Sequence, residues 1–124
     1  MIFAIDFDGT FCQHAYPYIG DPKACTINFV YDLKAEGHKF ILLTMREGDR
    51  LNEALEWLKK YDIVPDYVND NAPELCAEFN NNPRKVFAHG YIDDRNAFSA
   101  EEQINYYRKM YSIPGGNNGE KRCL

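Results

Sequence analysis

The chain has little of what marks several common protein classes. Its four cysteines, Cys12, Cys25, Cys76 and Cys123, form no C-x-x-C pair and no cluster with histidine. That spacing argues against a zinc site and leaves reduced thiols as the expectation. No apolar run approaches the length of a membrane span, so no membrane partner is expected. The N-terminal apolar run has no basic region and stops at Asp6, unlike a signal peptide, which points to a cytoplasmic protein. Positive charge is in deficit as well: the formal net charge is −5, which argues against nucleic acid as a generic partner. There is a single Trp beside nine Tyr and eight Phe, so a core and surface rich in tyrosine are expected. No internal repeat is visible.

What is present is a regular alternation of elements. At 124 residues the chain reads as one domain over residues 1–113, followed by a Gly/Asn-rich tail over 114–124. Five consecutive apolar residues, Met1 to Ile5, predict a strand buried on both faces. A loop from Phe11 to Gly20 follows. Asp21-Pro22, a capping residue before a proline, predicts the start of a helix that Gly37 ends. Lys39 to Thr44 reads as a second buried strand. A helix is expected from about Asp49, with Leu51, Leu55 and Leu58 at helical spacing, and Asp62 to Pro65 break it. Tyr67-Val68 makes a short strand, and Pro73-Glu74 opens a brief helix. Val86 through Ile92 predicts a fourth strand bent at His89-Gly90. Ser99 and Glu102 form a capping box for a last helix, with Ile104, Tyr107 and Tyr111 inward. The fold class is therefore α/β: a three-layer α/β/α sandwich around a central parallel, Rossmann-like sheet joined by right-handed crossovers.

Three strands end in residues that carry chemistry. Asp6 and Asp8 follow the first, Thr44 closes the second, and Asp93 and Asp94 follow the fourth, which Lys85 precedes. In open α/β sheets ligands sit beyond the C-terminal strand ends, so these residues should converge. Asp is costly to bury without a partner, and four carboxylates together would raise one another's pKa. A hard divalent cation resolves the conflict, and Mg²⁺ fits because it takes few carboxylates and keeps waters that a phosphate can displace. A strand-end carboxylate is a nucleophile for phosphorus, with a lysine and a hydroxyl to balance the transferring charge. Asp6, Lys85 and Thr44 would fill these roles, and Asp8 would serve as the second acid. Gly9 frees the backbone for a sharp turn.

These segments, DFDGT (6–10), ILLT (41–44), Lys85 and YIDD (91–94), resemble the signature of the haloacid dehalogenase-like hydrolase superfamily. The resemblance implies a Mg²⁺-dependent phosphomonoester hydrolase or phosphotransferase that works through an aspartyl-phosphate. It implies Asp6 as nucleophile, Asp8 as general acid/base, Thr44 as phosphoryl ligand and Lys85 as the paired cation. It places Mg²⁺ between the Asp6 carboxylate, the Asp8 carbonyl, Asp93 and Asp94, and it leaves Arg84 as an alternative to Lys85. Gly9, Thr10, Arg46 and Arg95 are candidate substrate-binding residues, the two arginines being equally suited to structural ion pairs. No segment is long enough for a sizeable lid, so the expected form is capless. Such a site takes a bulky substrate, borrows a neighbouring subunit of a homo-oligomer as cover, or is slow and permissive. The expected partner is a small phosphorylated molecule: a sugar phosphate, a nucleotide or a phosphorylated end. The alternative is a receiver-like phospho-acceptor module without turnover, although Asn69-Asp70 at the third strand is a poor acceptor context.

Overall fold

The computed structural model describes residues 1–115. Four strands alternate with four helices: β1 (Ile2–Asp6), α1 (Ala24–Ala35), β2 (Lys39–Leu43), α2 (Gly48–Lys60), β3 (Tyr67–Val68), α3 (Pro73–Phe79), β4 (Gly90–Ile92) and α4 (Ala100–Met110). All strand pairs are parallel, and the order across the sheet is β3-β2-β1-β4. The fold is thus a small Rossmann-like α/β domain.

Strand alternation divides the apolar residues between two faces. Phe3, Ile5, Phe40 and Leu42 point to one side, where Ile27, Val30, Leu33, Ala54, Leu58 and Ile104 from α1, α2 and α4 complete the main core. Phe3 meets Phe29 and Tyr107 edge to face, with centroids 5.4 and 5.6 Å apart. Ala4 and Ile41 face the other way, onto Val86 and Ala88. The connection from β3 must pass β2 and β1 to reach β4, and a right-handed crossover carries α3 over that second face. This outer layer is thin, since α3 itself buries no residue.

Helix ends follow local chemistry. Gly37, at φ 79°, closes α1 with the paired bonds Gly37 N–H to Lys34 O and His38 N–H to Leu33 O. Ser99 and Glu102 cap α4 reciprocally, as the sequence predicts. Two expectations need correction. The first helix starts at Ala24 rather than Asp21-Pro22, because residues 21 and 22 pair back onto the preceding loop. Gln13 N–H donates to Asp21 O, and Pro22 bridges Cys12. The fourth strand covers Gly90–Ile92 alone, because Asn71 takes the backbone of the segment before it. Its Oδ1 accepts from Phe87 N–H, and its Nδ2 donates to Pro83 O and Lys85 O.

Cys12 and Cys76 are free thiols as expected, whereas Cys25 is disulfide-bonded. No helix among the described residues is long and apolar enough to cross a membrane. The tail expected over 114–124 lies almost wholly outside the described residues.

Candidate active site

The sheet reverses direction at β1: β2 and β3 extend to one side, and β4 lies on the other. Ligands of open α/β sheets bind at such a reversal, outside the carboxyl ends of the strands. Register brings the reactive residues level there. Asp6 pairs with Leu43, one residue before Thr44, and Ile5 pairs with Ile92, one residue before Asp93. A cleft of about 400 Å³ opens above them, lined by Asp6, Asp8, His14, Tyr16, Thr44, Met45, Arg46, Asp93 and Arg95.

Asp6, Asp93 and Asp94 offer carboxylate oxygens that all lie within 4.8 Å of one another. Burial, then the charge of Asp93, then Asp94, push the Asp6 carboxyl up to about 8. Such a cluster must hold either a proton or a cation, and three partly buried carboxylates suit a hard divalent ion of the Mg²⁺ type. Thr10 joins the two halves of the cluster. Its hydroxyl donates to Asp6 Oδ2 at 3.3 Å and accepts from Asp94 N–H at 3.1 Å. Its carbonyl in turn accepts from Thr26 Oγ1 at 2.6 Å. Thr10 is fully buried, which makes it a support of the carboxylates rather than a substrate ligand. Gly9 serves the same end: at φ 87° it leaves room for the Asp94 carboxylate, which a Cβ at that position would meet at 2.2 Å.

Asp8 stands apart from the cluster. Both its oxygens accept from Arg46, from Nε and Nη2, each at 2.8 Å. Arg46 is only 2% exposed. It lies against the rings of Phe7 and Tyr16 and donates to the carbonyls of Tyr18 and Arg50 at 3.1 and 3.2 Å. Of its two expected roles, the structure therefore gives it the ion pair, which leaves the guanidinium with no open donor face for substrate. Arg95 is exposed, lines the cleft, and forms no ion pair among the described residues.

Thr44 is set by Asn69, the residue that follows β3. Asn69, at φ 51°, accepts from Thr44 N–H at 2.8 Å and donates to Thr44 O at 2.9 Å. Gln103 of α4 does the same for Asp93. Its Oε1 accepts from Asp93 N–H at 3.1 Å, and its Nε2 donates to Asp93 O at 2.8 Å. No local pattern marks either amide, because each partner is distant or on another element. Lys85 and Arg84 are exposed and are not among the residues lining the cleft. The bonds from Asn71 fix the backbone beside Lys85 instead.

Fold and cluster together define a small α/β domain with a carboxylate centre at the switch point of a parallel sheet. A solved structure described as that of a conserved protein from Bacteroides thetaiotaomicron is 33% identical to this chain. It covers 92% of both chains with a TM-score of 0.77. The chain belongs to the same family as that protein. No family model matches the chain, and no curated protein matches it.

Proposed function

We propose that this protein is a Mg²⁺-dependent phosphomonoester hydrolase of the haloacid dehalogenase-like type, with Asp6 as nucleophile. The observation that carries the reading is the meeting of Asp6, Asp93 and Asp94 within 4.8 Å at the switch point. Asp6, Asp93 and Asp94 would hold the cation, which when bound would offset phosphate charge and favour ionised Asp6. An Asp6 oxygen attacks phosphorus, the bond to the ester oxygen breaks, and the leaving oxygen takes a proton from Asp8. Water then attacks the aspartyl-phosphate and gives its proton to Asp8. The bond to Asp6 breaks, and inorganic phosphate leaves. Each Asp8 oxygen accepts one bond from Arg46 and retains a lone pair, which would take a proton from solvent before the first turnover and from the attacking water thereafter. Thr44 and Arg95 line the same cleft and would donate to the phosphoryl oxygens.

The test is hydrolysis of an aryl phosphate and of a panel of phosphomonoesters with and without Mg²⁺. Activity should require the metal and vanish in Asp6→Asn. Arg95→Ala should lower kcat/KM about a hundredfold to a thousandfold, the scale of a lost charge-stabilising donor, and more than Lys85→Ala does. Normal Mg²⁺ binding without turnover of any ester would sink the proposal. A long-lived phospho-Asp6 under those conditions would favour the receiver-like alternative.

A further inference from the structure

The cleft is divided between an acidic floor and an apolar mouth. Arg46 is taken up by Asp8, so Arg95 is the exposed cation among the described lining residues. At the mouth, Met45 is 98% exposed and Tyr16 is 52% exposed. Both follow directly from the architecture: Met45 comes next after Thr44, and Tyr16 lies in the loop that Arg46 holds. The Tyr16 ring rests on the Arg46 guanidinium, 5.0 Å from its carbon to the ring centroid. That guanidinium is itself tied to Asp8 and to the Tyr18 carbonyl, so the ring has a fixed backing. An aromatic ring held in place and half open to a cleft is a stacking platform whose ordering cost is met before the ligand arrives.

Building on the phosphatase reading, we infer that the substrate is a mononucleotide, its phosphate on the carboxylate floor and its base stacked on Tyr16 beside Met45. Charge narrows the choice. A nucleoside triphosphate or a polynucleotide would bring several negative charges to three carboxylates and, among the described lining residues, one exposed arginine, on a chain of net charge −5. A sugar phosphate without a base would leave the aromatic and methionine surface in water. The volume of about 400 Å³ lies in the range that holds one small ligand.

Ribose 5-phosphate carries the same phosphate and pentose as AMP and UMP but no base, so it isolates the contribution of the base. With Mg²⁺ present, kcat/KM for AMP and UMP should exceed that for ribose 5-phosphate by about tenfold or more, the scale of one base–aromatic stack. Tyr16→Leu should bring the ratio to within about twofold of one, whereas Tyr16→Phe should keep it. Both substrates share one phosphoryl chemistry, so the ratio cancels any disturbance of Arg46 or Asp8. Met45→Ser, at a side chain exposed enough to spare the fold, should lower the ratio several-fold and serves if Tyr16→Leu does not fold. A wild-type ratio near one, or a ratio indifferent to Tyr16→Leu and Met45→Ser, overturns the mononucleotide assignment and leaves the phosphatase reading standing. Failure to turn over any ester overturns both.

Discussion

Asp6 and Asp8 are separated by one phenylalanine and live in opposite electrostatic surroundings. Asp6 faces two other carboxylates, which with burial push it up to about 8, while Asp8 faces a guanidinium. The intervening Phe7 is buried and lies against Arg46, with 5.2 Å between the guanidinium carbon and the ring centroid. The D-x-D spacing thus separates an anion that wants a cation from one that already has its own. Removing Arg46 leaves Asp8 without its partner in a side chain only 15% exposed. Arg46→Met should therefore cost about 3 kcal/mol, the low end for breaking a buried pair, and Arg46→Met/Asp8→Asn should recover part of that loss. Urea denaturation of the two variants measures it; equal losses in both would show that the pair contributes through packing alone. The carboxylates and Thr44 were legible in the sequence because each closes a strand. The use of Arg46 was not, since its partner lies 38 residues away and no local pattern links them.

Element boundaries follow the sequence where the signals are local and depart from it where a distant side chain intervenes. The Ser99–Glu102 box and the Gly37 stop depend on residues within one or two turns, and both form as expected. The start of α1 and the length of β4 depend on Cys12, Gln13 and Asn71, which capture the backbone from elsewhere in the chain. The end of α2 shows a local signal used at a cost. Asp62 adopts φ 62°, with Asp62 N–H bonded to Lys59 O and Ile63 N–H to Leu58 O, the same arrangement that Gly37 makes without a side chain. Asp62→Gly should stabilise the protein by about 0.5–1 kcal/mol, net of the extra freedom glycine gains when unfolded. A thermal melt of the variant checks this, and a lowered Tm would show that the Asp62 carboxylate does more than tolerate the turn.

For the whole molecule the acid cluster ties stability to pH and, on the proposed metal reading, to cations as well. Asp6 rises from its ordinary 3.8 to about 8, so the metal-free folded protein holds a proton that the unfolded chain has released. Between those two values the native state binds more protons than the unfolded state. Stability of the metal-free protein therefore falls as pH rises from about 4 to about 8 and levels off beyond. Mg²⁺ should reverse the trend, raising Tm more near pH 9 than near pH 5, where protons compete for the carboxylates. Melts in EDTA and in Mg²⁺ across that range give the comparison. Asp6→Asn should flatten the slope, and an equal Mg²⁺ shift at both ends would remove the cluster as the binding site.

The position of β1 between β2 and β4 also has a consequence for biosynthesis. Asp6 is synthesised well before its companions Asp93 and Asp94, which come 87 and 88 residues later. During most of translation the sheet can grow through β2 and β3 while one edge of β1 stays unpaired. Arrival of β4 closes that edge and creates the three-carboxylate centre in one event. The carboxylate cluster is therefore a late property of this chain: a nascent or truncated protein ending before residue 90 would carry the D-x-D motif intact and lack the two acids that the proposed cation site needs.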